Sequence, residues 1–227
     1  MTEHNQIDVL KKIIEEQKIA ISQISHEVRN PITLINSSLQ LIEKQHPEVR
    51  DFLFWEDTMR DMKYLLRLLE ELSNYNNSEK TNPKLLDAGR WLTEVYSSLS
   101  SLSSESFRFS FRLPEDLPAF YADPIKLRQA ISNLIRNGFE ALEGDGEVTL
   151  SASADEQWMR IRIADTGCGI PEEYMDTLFQ PFVTHKQDGT GLGLSITKRI
   201  IEAHKGKLLI ETIPEKGTAF TILLPLA

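Results

Sequence analysis

The chain has 227 residues, of which 41% are hydrophobic and 26% are charged, and its formal net charge is −9. This composition is typical of a globular protein with one large or two small domains, and it excludes disorder as the main state. The acidic balance argues against nucleic acid as the main partner, because a phosphate backbone would be repelled.

The same sequence restricts where the protein works. No apolar run reaches the roughly 18 to 20 residues of a membrane span, and no signal peptide opens the chain. The single cysteine, Cys168, excludes an internal disulfide framework and fits a reducing compartment. We therefore expect a cytoplasmic protein without a membrane span.

The N-terminal part of the chain predicts one long helix, from about Ile7 to Lys44, because its apolar residues alternate at steps of three and four. The apolar positions in its first half are Ile7, Leu10, Ile14, Ile21, Ile24 and Val28. At about 100° per residue, His26 points roughly 150 to 180° away from this stripe. We therefore expect its side chain to be exposed.

The neighbours of His26 favour a chemical role over that of an ordinary helical histidine. Glu27 can accept the Nδ1 proton, which leaves a lone pair on Nε2 and makes the ring a nucleophile. Asn30, four residues on, shares the face of His26 and can orient a water molecule. Pro31 cannot donate to the Glu27 carbonyl, so we expect the helix to bend or loosen there.

A second helix is predicted after a short polar turn at 45–48, and it extends to about Tyr75. Its apolar seam repeats at three and four residues: Phe52, Trp55, Met59, Met62, Leu66 and Leu69. Further leucines beside the seam widen it beyond what two helices can cover. We therefore expect two such hairpins to pair as a four-helix bundle in a homodimer.

Polar residues and a proline at 74–83 predict an interdomain linker, after which helices and strands alternate. The predicted elements are a helix from about Leu85 to Leu102, a strand through Phe107 to Phe111, a helix from Pro124 to about Leu142, strands near 147–153 and 158–164, a helix at 192–204, and strands near 207–212 and 218–224. They predict an α/β sandwich with its helices on one face. We expect domains at 1–77 and 85–227, joined by a linker at 78–84.

One helix of the second domain carries a polar stripe. Asn133, Arg136, Asn137 and Glu140 fall at i, i+3, i+4 and i+7 among Ile, Leu and Ala residues. A solvated face is the simpler interpretation. The alternative is that the amide oxygens bind a hard cation such as Mg²⁺, which keeps most of its waters and is shared with substrate phosphates.

Two glycine-rich segments follow. An aspartate at the end of a strand, in the run Asp165 to Ile170, can accept a hydrogen bond from the exocyclic amine of adenine, while the glycines let the backbone approach the base. The run Val183 to Leu194 leads into a helix, whose N-terminus offers an anion site, and Lys186 adds a positive charge. This run matches neither the Walker A pattern nor the dinucleotide fingerprint.

Together these segments resemble the transmitter core of a bacterial two-component sensor histidine kinase, over about Ile19 to Leu226. The matching motifs are the H box at 25–31, the N box at 133–137, the first glycine box at 165–170, the F box at 179–182 and the second glycine box at 189–193. The nearest similarity is to nitrogen-regulation and sporulation kinases. The resemblance implies a dimerisation and phosphotransfer hairpin joined to a Bergerat-type (GHKL) ATP-binding domain.

The resemblance also implies roles for individual residues. His26 receives the γ-phosphoryl group of ATP on Nε2, Glu27 holds its tautomer, and Asn30 helps a water molecule to hydrolyse the regulator's aspartyl phosphate. Asp165 binds adenine, and Asn137 binds Mg²⁺. Asn133 is the second candidate ligand of the metal. The other implied ATP-binding residues are Arg136, Gly167, Gly169, Ile170, Phe182, Lys186, Gly189, Thr190, Gly191, Leu192, Gly193 and Thr218.

The implied partners are a second copy of the chain and a response regulator, whose receiver-domain aspartate takes the phosphoryl group from His26. Two positions depart from the family pattern: Gly138 replaces an alanine, and Lys205 replaces the first glycine of His-Gly-Gly. Nothing before Ile7 predicts a sensor domain, so we expect either an orphan cytosolic kinase or part of a longer protein. Two alternatives stay open: a phosphotransfer protein with a vestigial nucleotide domain, and an ATPase or serine kinase that shares only the Bergerat fold.

Overall fold

A computed structural model describes residues 3–186 and 189–226, without the side chains of residues 3–11, 14, 15 and 18. Three predicted seam side chains, Ile7, Leu10 and Ile14, and the pair Gln187-Asp188 of the second glycine-rich run therefore lie outside the described residues. The helices in the described ranges include none long and apolar enough to cross a membrane. The chain forms two compact units, Met1–Asn77 with Lys186–Thr190, and Ser78–His185 with Gly191–Ala227.

The first unit is built on the predicted helical hairpin. Helix α1 (Glu3–Gln45) is followed by a 3₁₀ turn (Pro47–Asp51) and helix α2 (Trp55–Asn76), and α1 contacts α2. Helix α1 continues through Pro31, so the loosening expected there does not break the helix. The hydroxyl of Thr33 donates to the Arg29 carbonyl at 2.8 Å, within the turn that contains the proline.

The predicted start of the second helix is wrong. Phe52, which the prediction placed in the apolar seam, precedes α2 and is 60% exposed. Pro47 starts a 3₁₀ turn, and Phe54 then takes the left-handed conformation with φ = 68°, which a continuous α-helix does not allow. The regular α-helix therefore begins only at Trp55.

The second unit contains a five-stranded sheet in the part of the chain that the structure describes. Its elements are β1 (Lys84–Leu86), α3 (Ala88–Leu99), β2 (Phe107–Arg112), β3 (Phe120–Ala122), α4 (Pro124–Glu140), β4 (Gly146–Ala154), β5 (Trp158–Asp165), α5 (Gly193–Ala203), β6 (Lys207–Ile213) and β7 (Gly217–Pro225), with short 3₁₀ turns at Ser100–Leu102 and Glu172–Tyr174. The sheet order is β2-β4-β5-β7-β6, with β2 and β4 parallel and the other pairs antiparallel. Strands β1 and β3 pair separately.

The helix predicted from Leu85 to Leu102 is wrong at its start, and the strand β3 was not predicted. Residues 84–86 form β1, and α3 begins only after Asp87, whose side chain accepts the Arg90 N–H at 2.9 Å. Both missed strands have three residues, too few to show an alternating pattern.

The core of this unit lies between the helices and one face of the sheet. Helix α4 contacts β4, β5 and α5, while α5 also contacts β6. Alternate residues of the strands are buried, as expected for a sheet with one covered face. The largest fully buried side chains are Phe120, Leu92, Leu127, Ile131, Leu134, Ile135, Leu150, Met159, Ile161, Ile163, Leu192 and Ile200. The predicted class, a helical hairpin followed by an α/β sandwich, is confirmed.

The predicted linker is attached to the second unit at three residues. Ser78 is fully buried, Glu79 forms an ion pair with Arg199 at 2.7 Å, and the Asn82 N–H donates to the Asp123 carboxylate at 2.8 Å. Residues 78–82 therefore belong structurally to the second unit. We expect any flexing between the two units to occur at the residues just before Ser78.

Asp123 and His204 form a buried polar junction behind this linker. Burial raises the pKa of Asp123, but hydrogen bonds from the backbone N–H groups of Asn82 and of the first turn of α4 outweigh it and leave the pKa below its usual value. The Asp123 N–H donates to His204 Nε2 at 2.9 Å, so Nδ1 carries the proton and donates to the Ile200 carbonyl at 2.7 Å. These two hydrogen bonds therefore fix the orientation of the His204 ring.

Helix α5 ends in a Schellman motif that places Lys205 in a conformation suited to glycine. The Gly206 N–H donates to the Ile201 carbonyl and the Lys205 N–H to the Glu202 carbonyl, each at 2.9 Å. Lys205 has φ = 58°, in the left-handed region that L-residues with a side chain rarely adopt. The sequence departure at Lys205 therefore introduces backbone strain.

We predict that Lys205→Gly stabilises the second unit by about 0.5–1 kcal/mol, because removing the Cβ relieves strain that exceeds the added flexibility of the unfolded chain. Calorimetric unfolding of the full chain should show this as a rise of about 1–4 °C in the melting temperature. The control, Lys205→Ala, keeps the Cβ and should not show the rise. A glycine variant that melts no higher than the alanine variant would contradict this assignment.

Candidate functional site

The second half of α4 brings the predicted asparagines to the start of α5. Asn133 donates through Nδ2 to the hydroxyl of Thr197 at 3.0 Å, and Thr197 is fully buried. The side-chain carbonyl oxygen of Asn133 lies against Gly193, where an added Cβ would be only 2.5 Å away. Asn137 is half-buried one turn later, and Arg136 beside it is exposed. The amide of Asn133 is thus oriented toward the first residue of α5.

Gly138 brings this part of α4 close to the end of β5. An added Cβ would lie 3.2 Å from Cγ2 of Val148 and 3.4 Å from Cβ of Asp165. The departure from the family pattern at Gly138 therefore falls where α4 packs on β5, the strand that carries the predicted adenine-binding aspartate.

Asp165 is the last residue of β5, and its carboxylate is fixed by two backbone donors. Oδ1 accepts the N–H of Gly167 at 2.9 Å and the N–H of Thr218 at 3.1 Å. The side chain is half-buried, and Thr218 is 6% exposed. Two donors on one oxygen determine the direction in which the other oxygen points, so the carboxylate is oriented before any ligand arrives.

The loop after Asp165 is attached on two sides. Cys168 donates its N–H to the Ala141 carbonyl at 3.0 Å, and its own carbonyl accepts the Glu215 N–H at 2.7 Å. The Ile170 N–H donates to the hydroxyl of Thr212 at 2.8 Å, which also lies 3.0 Å from the Thr218 hydroxyl. The first glycine box is therefore a rigid loop between the end of α4 and the turn from β6 to β7.

Both glycines of that loop are required by close backbone contacts. A Cβ on Gly167 would lie 2.4 Å from the Ala141 carbonyl oxygen. Gly169 has φ = 71°, and its Cβ would lie 2.4 Å from the Ile213 carbonyl oxygen. Side chains at either position would push the loop away from its supports.

The structure identifies Gly217 as a site residue that the sequence reasoning missed. It has φ = 118°, and an added Cβ would lie 2.1 Å from the Asp165 carbonyl oxygen. Its neighbour Thr218 donates to the Asp165 carboxylate. The sequence signal was the Gly-Thr pair opening the last strand, but only the fold brings it next to β5.

The F box and the second glycine box meet through their backbones. The Phe182 N–H donates to the Gly191 carbonyl at 3.0 Å. Phe182 itself has φ = 65° and is 58% exposed, and Gly191 has φ = 69°. Leu192, at the start of α5, is fully buried, and Gly193 is the first residue of the helix. This junction places the N–H groups of the first turn, which have no acceptor within the helix, at the predicted anion site.

The remaining predicted ATP-binding residues lie in the first unit. Lys186, Gly189 and Thr190 group with the helical hairpin, and the Thr190 hydroxyl donates to the Glu71 carboxylate. Their roles in nucleotide binding stay predictions, as do those of the residues in the second unit.

His26 lies on α1 with an exposed side chain, as predicted, and Glu27 and Asn30 are also exposed. Among the described residues no hydrogen bond joins Glu27 to His26, so the role of Glu27 in holding the tautomer stays a prediction. Ser25, immediately before the histidine, is buried and donates to the Ile21 carbonyl at 2.7 Å. The histidine is therefore presented to solvent on a fully helical backbone.

This arrangement suits a nucleotide and a cation that is bound mainly through phosphate. Within residues 3–186 and 189–226 no group of three His, Cys, Asp or Glu side chains could hold a metal ion. Hard cations such as Mg²⁺ accept amide oxygens, and the Asn133 oxygen lies against Gly193 at the start of α5. The residues present therefore fit a magnesium nucleotide that is held by few protein ligands.

Comparisons with known proteins agree with this arrangement. Residues 122–227 match the family described as Histidine kinase-, DNA gyrase B-, and HSP90-like ATPase. Sporulation kinase C of Bacillus subtilis is 32% identical over 220 residues, which cover 93% of this chain and 51% of that protein. Sporulation kinase A of the same organism is 32% identical over 223 residues, which cover 94% of this chain and 36% of that protein.

Among solved structures, full-length ShkA in complex with AMPPNP matches with a TM-score of 0.78 at 26% identity, over 92% of this chain and 46% of that chain. The match includes the hairpin as well as the α/β unit. The chain spans about half the length of sporulation kinase C.

We predict that Gly217→Ala destabilises the second unit by more than about 2 kcal/mol and weakens nucleotide binding, because the Cβ would collide with the backbone of Asp165. Thermal unfolding and calorimetric titration with an ATP analogue measure the two effects. Gly144→Ala is the matched control, since Gly144 also has a positive φ of 77° but nothing lies within 4 Å of its Cβ. Equal losses in both variants would show that the contact with Asp165 is unimportant.

Proposed function

We propose that the chain is the core of a two-component sensor histidine kinase and that it moves the γ-phosphoryl group of ATP to Nε2 of His26. In this step the bond between the γ-phosphorus and the ADP oxygen breaks, and a P–N bond forms. The Nδ1 proton of the imidazole leaves, and Glu27 is the candidate acceptor. The cytoplasmic location expected from the sequence is part of this proposal.

The observation that carries the proposal is the fixed carboxylate of Asp165. Its Oδ1 is occupied by two backbone N–H donors, and glycines line the loop beside it. An acceptor oriented in this way suits the exocyclic amine of adenine, and the glycine backbone leaves room for a flat base. The similar structure of ShkA holds AMPPNP, an adenine nucleotide, which supports the same use here.

The phosphates would lie toward the start of α5. The N–H groups in the first turn of that helix favour anions, and the carbonyl oxygen of Asn133 lies against Gly193 in the same turn. Mg²⁺, when bound, neutralises charge that builds up on the phosphate oxygens. We propose Asn137 as its ligand, with Asn133 as the second candidate, and Lys186 as a further positive charge.

His26 meets the geometric requirement for a nucleophile because its side chain is exposed on α1. Positioning and charge neutralisation carry most of the catalysis in phosphoryl transfer, so an accessible nitrogen is the main demand on the acceptor. We further propose that phosphohistidine passes its group to an aspartate of a response regulator. Asn30 would assist a phosphatase reaction by orienting water.

The hairpin supports the proposed homodimer. Many of its apolar side chains are exposed, and Leu34 is 69% exposed. The others on α1 and α2 include Ile13, Ile19, Ile21, Ile24, Val28, Ile35, Leu41, Ile42 and Leu65. A two-helix hairpin cannot bury such a wide apolar face alone, and pairing with a second hairpin would remove it from water.

We predict that incubation with γ-labelled ATP and Mg²⁺ labels the wild-type chain with phosphate that is labile in acid and stable in base. His26→Ala should carry no label but still bind nucleotide, because the acceptor lies outside the ATP-binding unit. Asn137→Ala should also carry no label, because nucleotide and metal binding are weakened or lost. Autoradiography and calorimetric titration provide the two measurements.

His46→Ala is the matched control for the first variant. His46 is also exposed in the first unit, but it pairs with Glu48 at 3.0 Å in the turn between the helices. This variant should be labelled like the wild type. Label that is stable in acid, or that survives in His26→Ala, would overturn the proposed function.

A further inference from the structure

Arg29, three residues after His26, makes a hydrogen bond that crosses the hairpin. Its Nη2 donates to the main-chain carbonyl of Leu69 on α2 at 3.0 Å, and the side chain is half-buried. Leu69 lies inside the regular helix Trp55–Asn76, where its carbonyl also accepts the N–H four residues on. Arg29 therefore joins the two helices beside the histidine without altering α2.

The acceptor of this bond is a weak partner for a guanidinium group. The Leu69 carbonyl is neutral and already accepts a hydrogen bond within its helix, so it offers the guanidinium a single hydrogen bond and no ion pair. Guanidinium groups bind phosphoryl oxygens more strongly, through two parallel charge-assisted bonds. A phosphoryl group within reach would therefore compete successfully for Arg29.

The position of Arg29 gives it that reach. Residues at i and i+3 of a helix are neighbours with Cβ atoms about 5–6 Å apart, so the side chains of His26 and Arg29 start side by side. In the sequence from 19 to 43, Arg29 is the only lysine or arginine. A phosphoryl group on His26 Nε2 thus has one permanent cation beside it on its own helix.

We propose that Arg29 is a positioning residue that exchanges partners when His26 is phosphorylated. Before transfer it holds α1 against α2 through the Leu69 carbonyl, and after transfer it binds the phosphoryl oxygens. This inference rests on the proposed function, since it requires phosphate on His26. The exchange releases the link between the helices at the level of the histidine.

The exchange also protects the P–N bond from water. Hydrolysis breaks this bond after the imidazole gains a proton, and it releases inorganic phosphate and a neutral ring. A guanidinium group close to the imidazole disfavours the additional positive charge on the ring, so it slows this route. Removing the charge at position 29 should therefore shorten the lifetime of phosphohistidine.

The test measures that lifetime without relying on the kinase reaction. The full chain is phosphorylated on histidine with phosphoramidate, and the loss of phosphate from His26 is followed over time by mass spectrometry. Arg29→Gln keeps a neutral donor for the Leu69 carbonyl but loses the charge, and we expect its phosphohistidine to decay about tenfold faster than that of the wild type. Arg29→Lys keeps the charge without the planar fork and should be intermediate.

Arg50→Ala is the matched control, because the Arg50 Nε also donates between two elements of the hairpin, from the 3₁₀ turn to Glu43 of α1 at 2.6 Å, but far from His26. Its phosphohistidine should decay at the wild-type rate. In labelling with ATP, Arg29→Gln should lower kcat and leave the KM for ATP unchanged, since the nucleotide binds in the other unit.

The outcomes separate this inference from the function on which it rests. Equal lifetimes in wild type, Arg29→Gln and Arg50→Ala would overturn the exchange, even where ATP labels His26 normally. A shorter lifetime in Arg29→Gln after phosphoramidate treatment supports the exchange, while absence of labelling by ATP in the same wild-type chain would overturn the kinase proposal alone.

Discussion

The arrangement of the ATP-binding unit depends on how the carboxylate of Asp165 is held at the end of β5. One carboxylate oxygen accepts hydrogen bonds from two backbone N–H groups. One belongs to Gly167, two residues later in the chain, and the other to Thr218 on the neighbouring strand. This geometry needs Gly217 to pass within van der Waals contact of the Asp165 backbone, and it needs the glycine loop fixed between α4 and the turn from β6 to β7. The site therefore depends on the adjoining ends of β5 and β7 and on the turn from β6 to β7, and not on the glycine loop alone.

The hairpin faces a different constraint, since it presents the proposed phosphoacceptor His26 and an uncovered apolar surface on the same two helices. His26 is exposed, and so are several leucines and isoleucines of α1. Beside His26, Arg29 links α1 to α2 through its hydrogen bond to the Leu69 carbonyl. Apolar burial in a dimer would supply stability, whereas the polar positions near His26 stay available for chemistry. The two demands are compatible near the histidine, because Ile21, Ile24 and Val28 lie on the opposite side of α1 from His26.

Much of this architecture could be predicted from the sequence, because long helices and alternating strands leave periodic patterns. The outward direction of His26 followed from helical spacing, and the long strands β4 to β7 were recognised from alternation. The three-residue strands that begin at Lys84 and Phe120 are too short to show an alternating pattern. The aromatic residue Phe54 gave no indication of the left-handed conformation that it adopts. The role of Gly217 required knowledge of which strand neighbours β5, which local sequence does not contain.

The most direct measurement of the central claim compares the binding of ATP and inosine triphosphate by calorimetric titration. Inosine triphosphate carries a carbonyl oxygen where adenine has its exocyclic amine, so it would face the Asp165 carboxylate with an acceptor. We expect inosine triphosphate to bind at least about tenfold more weakly than ATP, because it loses a hydrogen bond to a charged group. Equal affinity for the two nucleotides would contradict the assignment of Asp165 as the adenine-binding group.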